Sequence, residues 1–109
     1  MIVLEVSLVR GGGILRPEEL PELIDKTTAA LKAAGFNPSG GPEELVVSGR
    51  LPIWAAAALV HAHGHARPWA GVFDPRLAGG VVVMSHDPTR RVGEVVPIEG
   101  ATARVEVTF

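Results

Sequence analysis

Apolar residues recur at two different spacings along the chain, and the spacing changes from segment to segment. Over Met1–Val9 they alternate with other residues, which predicts a strand. Over Pro17–Gly35 they recur three and four positions apart behind an acidic first turn, which predicts a helix that ends at its glycine. A second, alanine-rich helix is predicted over Ile53–His65. The other apolar runs predict strands over Glu44–Ser48, Trp69–Phe73, Val81–Ser85, Val95–Ile98 and Thr102–Phe109.

The predicted order of elements is β-α-β-α-β-β-β-β, which indicates an α/β fold with a mixed sheet and two main helices. The two strand–helix–strand units favour right-handed crossovers and a partly parallel sheet. Only short segments separate the last strands, so we expect these strands to pair as antiparallel hairpins. No repeat or linker divides the sequence, and we therefore interpret residues 1–109 as a single domain.

The composition narrows the range of possible functions. With 47% hydrophobic residues the chain is expected to fold, and with no cysteine it has no disulfide and no thiolate metal site. A metal ion would have to bind His, Asp or Glu, which favours Mn, Mg or Zn. We see no signal peptide and no apolar run of about 20 residues, so we expect a cytoplasmic protein that does not contact a membrane.

Charge is unevenly distributed along a chain whose net charge is −2. Between Val46 and Gly93 lie five arginines and all four histidines, opposed only by Asp74 and Asp87. A protein that coats a nucleic acid is usually basic throughout, so this pattern argues against DNA or a long duplex as the partner. A locally positive middle favours a small anionic ligand, although surface arginines can also scatter in this way.

Two short polar segments follow predicted strands and are candidates for an anion site. They are Ser48-Gly49-Arg50, after the second strand, and Asp74-Pro75-Arg76, after the third. Ligands of open α/β sheets bind beyond the carboxyl ends of parallel strands, so both segments are expected at one edge. The glycine would let the backbone approach the ligand, the arginines could clamp phosphate oxygens, and Pro52 would open a helix whose N-terminus faces the anion. Ordinary turns remain the alternative.

The histidines are candidates for a metal site. His61 and His65 are four residues apart and share a helix face, a spacing that can bind one metal ion. Histidines near the end of a helix also interact favourably with its dipole, which is the structural alternative. Together with Asp74 and His86, which also lie at the ends of elements, His65 could hold a manganese-like ion. His86 could instead reach the site from a partner subunit.

Three sequence blocks resemble those of a known protein family. Val46–Trp54 is similar to the V-x-S-G-R-x-P-x-W segment of the CRISPR-associated Csx-three proteins, the third class of cyclic-oligoadenylate ring nucleases. His65 with Val72–Leu77 resembles the family's H…V-Y-D-P-R-L, and Val81–His86 resembles its V-V-V-x-S-H. The blocks occur in the family's order with similar spacing. Phe73 stands where the family often has tyrosine.

The resemblance implies a small CRISPR-associated Rossmann-like domain that forms homodimers. In that family, two dimers sandwich cyclic tetra-adenylate and cleave it, typically with Mn²⁺, to linear adenylates, which switches off the CRISPR effectors that the messenger activates. By motif position, His65 and Asp74 correspond to metal-site or catalytic residues. Arg76 and His86 correspond to catalytic or phosphate-contacting residues, and Ser48, Gly49 and Arg50 to ligand-binding residues.

The sequence therefore predicts a phosphodiesterase, with two alternatives. One is a module that binds cyclic oligoadenylate or RNA without turnover. The other is a Mn-dependent 3′-exonuclease that removes adenylates from linear RNA. The joint presence of His65, Asp74, Arg76 and His86 favours the enzyme, because binding alone does not require a carboxylate beside a phosphate.

Overall fold

A computed structural model describes residues 1–9 and 15–108 of the chain. The sequence predicts a glycine-rich loop over Arg10–Arg16, and most of this segment lies outside the described residues. A single 3₁₀ turn, Pro17–Glu19, precedes the first helix. The elements, in chain order, are β1 (Ile2–Val9), α1 (Leu20–Ala33), β2 (Leu45–Ser48), α2 (Ile53–Gly64), β3 (Trp69–Asp74), β4 (Gly79–Ser85), β5 (Val95–Pro97) and β6 (Ala103–Thr108). This order and the α/β class confirm the prediction from the sequence.

The six strands form one mixed sheet in the order β5-β4-β3-β2-β1-β6. Strands β1, β2 and β3 are parallel neighbours, as the two crossover units predict. Strands β3, β4 and β5 follow as antiparallel neighbours, so the hairpins predicted for this part of the chain are confirmed.

The predicted hairpin between β5 and β6 is wrong. β6 lies at the far edge of the sheet, where it pairs in parallel with β1 in the register Leu4↔Ala103 to Val9↔Thr108. This position buries the alternate apolar residues Ala103 and Val107 against the side of the sheet that carries α1. The free energy gained by burying these apolar residues therefore outweighs the tendency of strands joined by a short loop to pair, on which the predicted hairpin was based.

Both helices pack on the same face of the sheet. Their buried side chains, among them Leu23 and Leu59, form one core with Leu4 of β1 and Val47 of β2. The opposite face carries a smaller cluster built on Val46, Trp69, Val82 and Val96. Within the described part of the chain, no helix has the length and apolar character that a membrane-spanning segment needs.

A buried polar network fixes the end of α2 to α1 and to the connection before β2. The imidazole of His63 donates from Nδ1 to the carbonyl of Pro38 at 2.8 Å, so in its neutral form Nε2 accepts from the hydroxyl of Thr27 at 2.7 Å. Next to it, the Arg67 guanidinium donates to the His63 carbonyl at 2.6 Å and to Glu43 at 3.1 Å. All these groups are satisfied, which buried polar groups require.

Stability should depend on pH through His63. Burial lowers the pKa of this imidazole, and the nearby Arg67 charge lowers it further, although the bond to Pro38 opposes the shift. The unfolded chain, in which histidine has a pKa near about 6.5, then binds the proton more tightly. The stabilisation is complete above that pH and declines as the pH falls below it, by at most about 1.4 kcal/mol per pH unit. Urea unfolding at a series of pH values measures the slope, which His63→Leu should remove and the exposed control His61→Gln should keep.

Gly49, directly after β2, is required by the packing of its own backbone. Its φ is +128°, and a Cβ placed there would lie 2.1 Å from the carbonyl oxygen of Val6 in β1. The sequence suggested that this glycine serves a ligand, whereas the contact with β1 is a structural reason for it.

Replacing Gly49 should therefore be unusually costly. Gly93 provides a matched control, because its φ is also positive, at +93°, but no atom lies within 4 Å of its added Cβ. We expect Gly93→Ala to cost about 1–2 kcal/mol from backbone strain alone. Gly49→Ala should cost about 3 kcal/mol or more, because strain and a backbone clash combine. Equal losses in denaturant unfolding would contradict the role of the Val6 contact.

Candidate functional site

The carboxyl ends of the parallel strands bring the two predicted anion-binding segments to one edge of the sheet, which we call the carboxyl edge. Ser48, Gly49 and Arg50 follow β2, and Asp74 ends the neighbouring strand β3. The helix α2 begins here, directly after Pro52, so its N-terminal N–H groups and positive dipole end lie at the same edge. The predicted convergence of these segments is thus confirmed as a matter of placement.

Asp74 and Arg76 form a local ion pair in the β3–β4 turn. The Arg76 guanidinium donates to the carboxylate at 3.1 Å, and the Arg76 backbone N–H donates to it at 2.8 Å. These hydrogen bonds, the side-chain one foremost, lower the pKa of Asp74, so the carboxylate is charged at neutral pH. The Arg76 side chain is 89% exposed, so the pair contributes little to stability, and the guanidinium can turn toward a ligand.

An open cleft of about 570 Å³ lies between the ends of β1 and β2. Its walls combine an arginine, a carboxylate and two hydroxyls with aliphatic side chains. The lining residues are Glu5, Val6, Ser7, Leu8, Ser48, Gly49 and Arg50. Within residues 1–9 and 15–108, no carboxylate lies within ion-pair distance of the Arg50 guanidinium, so this charge is available to an anion.

Three histidines cluster at the opposite edge of the sheet, and we call them the histidine cluster: His61, His65 and His86. The rings of His61 and His65 lie on one face of α2 with centroids 5.6 Å apart, as their spacing predicts. The ring of His86 lies 6.5 Å from that of His65, and its backbone N–H bonds to Pro68 at 2.8 Å. His63 points away from this cluster into the core.

The structure does not bring His65, Asp74 and His86 of one chain together. β4 returns antiparallel to β3, so Ser85 pairs with Trp69 at the start of β3 while Asp74 pairs with Gly79. A six-residue strand is about 17 Å long, and this length separates the histidine cluster from Asp74. In the described part of the chain, no three His, Asp or Glu side chains are placed to hold an ion. The metal site predicted from His65 and Asp74 is therefore not formed within one chain.

Sequence reasoning missed Glu5 and Ser7 as part of the cleft. The available signal was a lone carboxylate, Glu5, in the otherwise apolar start of β1. Sequence reasoning also missed the buried network of His63 and Arg67, since neither residue type is usually buried and no local pattern indicates their partners.

The chain is similar in sequence to known proteins over most of the residues described above. A family model described as CRISPR-associated protein (Cas_csx3) matches residues 9–97. An uncharacterized protein of Aquifex aeolicus is 52% identical over 56 residues, which cover 51% of this chain and 50% of that protein. The chain thus spans about half the length of this relative. Because the family model covers most of the sequence, including both edges described above, the chain belongs to the Cas_csx3 family of CRISPR-associated proteins.

Proposed function

We propose that the protein is a ring nuclease that binds cyclic tetra-adenylate between copies of itself and opens it to linear adenylates. One observation carries this proposal: the motif residues are divided between two opposite edges of the molecule. The carboxyl edge supplies Arg50, Arg76 and a helix N-terminus, which suit phosphate oxygens. The histidine cluster supplies imidazoles, the commonest general acids and bases. Stacking the carboxyl edge of one copy on the histidine cluster of another would complete the set.

In this arrangement each edge has its own task. Ser48, Arg50 and the start of α2 hold the phosphates of the ring, and Arg76, aligned by Asp74, offsets the charge that develops on the phosphate being cut. The imidazole of His86 from the facing copy removes a proton from the attacking oxygen and donates one to the leaving oxygen. A Mn²⁺ ion, whose ligands would be Asp74 of one copy and His65 of the other, would supply further charge neutralisation.

A homodimer would form the repeating layer of such a stack, and an apolar groove of about 470 Å³ beside α2 is the surface that we assign to it. Ile53 and Val83 on its rim are 90% and 47% exposed, which is unusual for large apolar side chains. The groove lies on the helical face of the sheet and reaches the start of α2, so a second copy that covers it would lie next to the carboxyl edge.

The substrate distinguishes the candidate functions. Purified protein is incubated with cyclic tetra-adenylate or linear oligoadenylate, with Mn²⁺ or EDTA, and the products are separated by chromatography. We expect loss of the ring with Mn²⁺ and little loss in EDTA. Tight binding without products would instead support a binding module, and faster cleavage of linear RNA would support an exonuclease.

Mixing two inactive variants tests the divided site. His65→Ala and Asp74→Ala should each lower the cleavage rate by about a hundredfold or more. Mixed in equal amounts, they should recover about a quarter of the wild-type rate. In a random stack, a copy with an intact Asp74 faces a copy with an intact His65 at about a quarter of the contacts. Both positions are accessible, so the fold should survive, which circular dichroism checks.

The matched control is a mixture of His65→Ala with the double variant His65→Ala/Asp74→Ala. This mixture contains no intact histidine cluster and should remain inactive. If the mixture of single variants also fails to recover while the wild type cleaves the ring, the site is not divided between copies.

A further inference from the structure

The cleft between β1 and β2 contains a carboxylate to which the proposed function gives no task. Glu5 lines the cleft together with Ser48 and Arg50, and it precedes the residues 9–97 that the family model matches. We propose that Glu5 accepts a hydrogen bond from a ribose 2′-hydroxyl of the bound ring and so selects ribose over deoxyribose. This inference rests on the proposed function, because it assigns a contact within the same ligand.

The register of the sheet places Glu5 beside Ser48, a residue that the proposed function assigns to phosphate. Glu5 pairs directly with Ser48 across the parallel strands β1 and β2, so the two side chains project side by side from one face, about 4.8 Å apart at their Cα atoms. In an RNA strand the 2′-hydroxyl and the 3′-phosphate are carried by adjacent ribose carbons. A phosphate held at Ser48 and Arg50 would therefore present its own ribose hydroxyl to Glu5.

The charge of Glu5 agrees with a hydroxyl partner rather than a phosphate one. A carboxylate repels phosphate oxygens but accepts hydrogen bonds from hydroxyl groups, and acidic side chains bind ribose hydroxyls in this way in dinucleotide-binding folds. Within residues 1–9 and 15–108, the ion pair of Glu5 is a long contact of 3.8 Å to the exposed Arg104 guanidinium. Such a pair is weak, so the carboxylate can leave it for a ligand at little cost.

The 2′-hydroxyl also distinguishes RNA from DNA. A ligand site that selects a cyclic RNA messenger needs at least one group that reads this hydroxyl, and neither an arginine nor a helix N-terminus does so when both bind phosphate. Among the residues that line the cleft, Glu5 is the side chain that can only accept hydrogen bonds when ionised. This chemistry makes it suited to a hydroxyl donor.

The test compares binding of two ligands, cyclic tetra-adenylate and the same ring built from 2′-deoxyadenosine, in EDTA by calorimetry. We expect the wild type to bind the ribose ring tenfold or more tightly than the deoxy ring. Glu5→Ala should lower the affinity for the ribose ring by about tenfold to a hundredfold and leave the affinity for the deoxy ring unchanged. Glu5→Gln, whose amide oxygen still accepts a hydrogen bond, should be intermediate. Glu22→Ala is the control: this exposed residue of α1 lies outside the cleft, and its removal should change neither affinity.

Each other outcome has a definite meaning. If Glu5→Ala lowers the affinity for both rings equally, Glu5 contacts another group or supports the fold, and the inference is wrong. If Glu5→Ala changes neither affinity, the inference is also wrong. A wild type that binds both rings equally well overturns this inference but not the proposed function. A wild type that binds neither ring overturns both.

Discussion

Parallel pairing of β1, β2 and β3 is the constraint on which the rest of the molecule depends. It sends the ends of these strands to one edge, and its register sets Ser48 beside Glu5. The pairing also determines the backbone approach of Gly49 to Val6, which closes the turn before α2. Because α2 must return across the sheet to start β3, its first residues lie at the carboxyl edge and its last residues at the opposite edge.

The candidate site residues lie at two opposite edges because each helix or strand that carries them crosses the whole sheet. One crossing by α2 and one by β4 both end beside the start of β3, which is why His61, His65 and His86 meet there. In the proposed function, the two unlike ends would meet in a heterologous contact between copies, which can continue from one copy to the next. A ligand held between two such ends would stabilise the contact, so binding and assembly would be linked through protein concentration.

The sequence was sufficient for the elements and for most of the sheet, because periodicity and crossover handedness are local rules. The position of β6 was not predictable from them, since its partner β1 is about a hundred residues away in sequence and only burial selects it. The edge that carries His86 could have been predicted. The turn after Asp74 was recognised, and an antiparallel strand returning from it must end near Trp69, where His86 begins the next loop. The motif suggested proximity to Asp74 because it gives the spacing of residues along the chain and not their positions in the sheet.

The three histidines at the end of α2 face two different environments. His63 faces inward, and its bonds to Thr27 and Pro38 hold the last turn of α2 against α1. His61 and His65 sit on the outer side of that same turn, so the buried network determines where their rings lie. Since burial lowers the pKa of His63, acid weakens this anchor selectively, while the carboxyl edge is held by β1 and Gly49. The end of α2 would then loosen before the sheet does, because local stability follows the contacts that hold each element. In the proposed function, which depends on both edges, the imidazoles would then lose their alignment while the carboxyl edge remains intact.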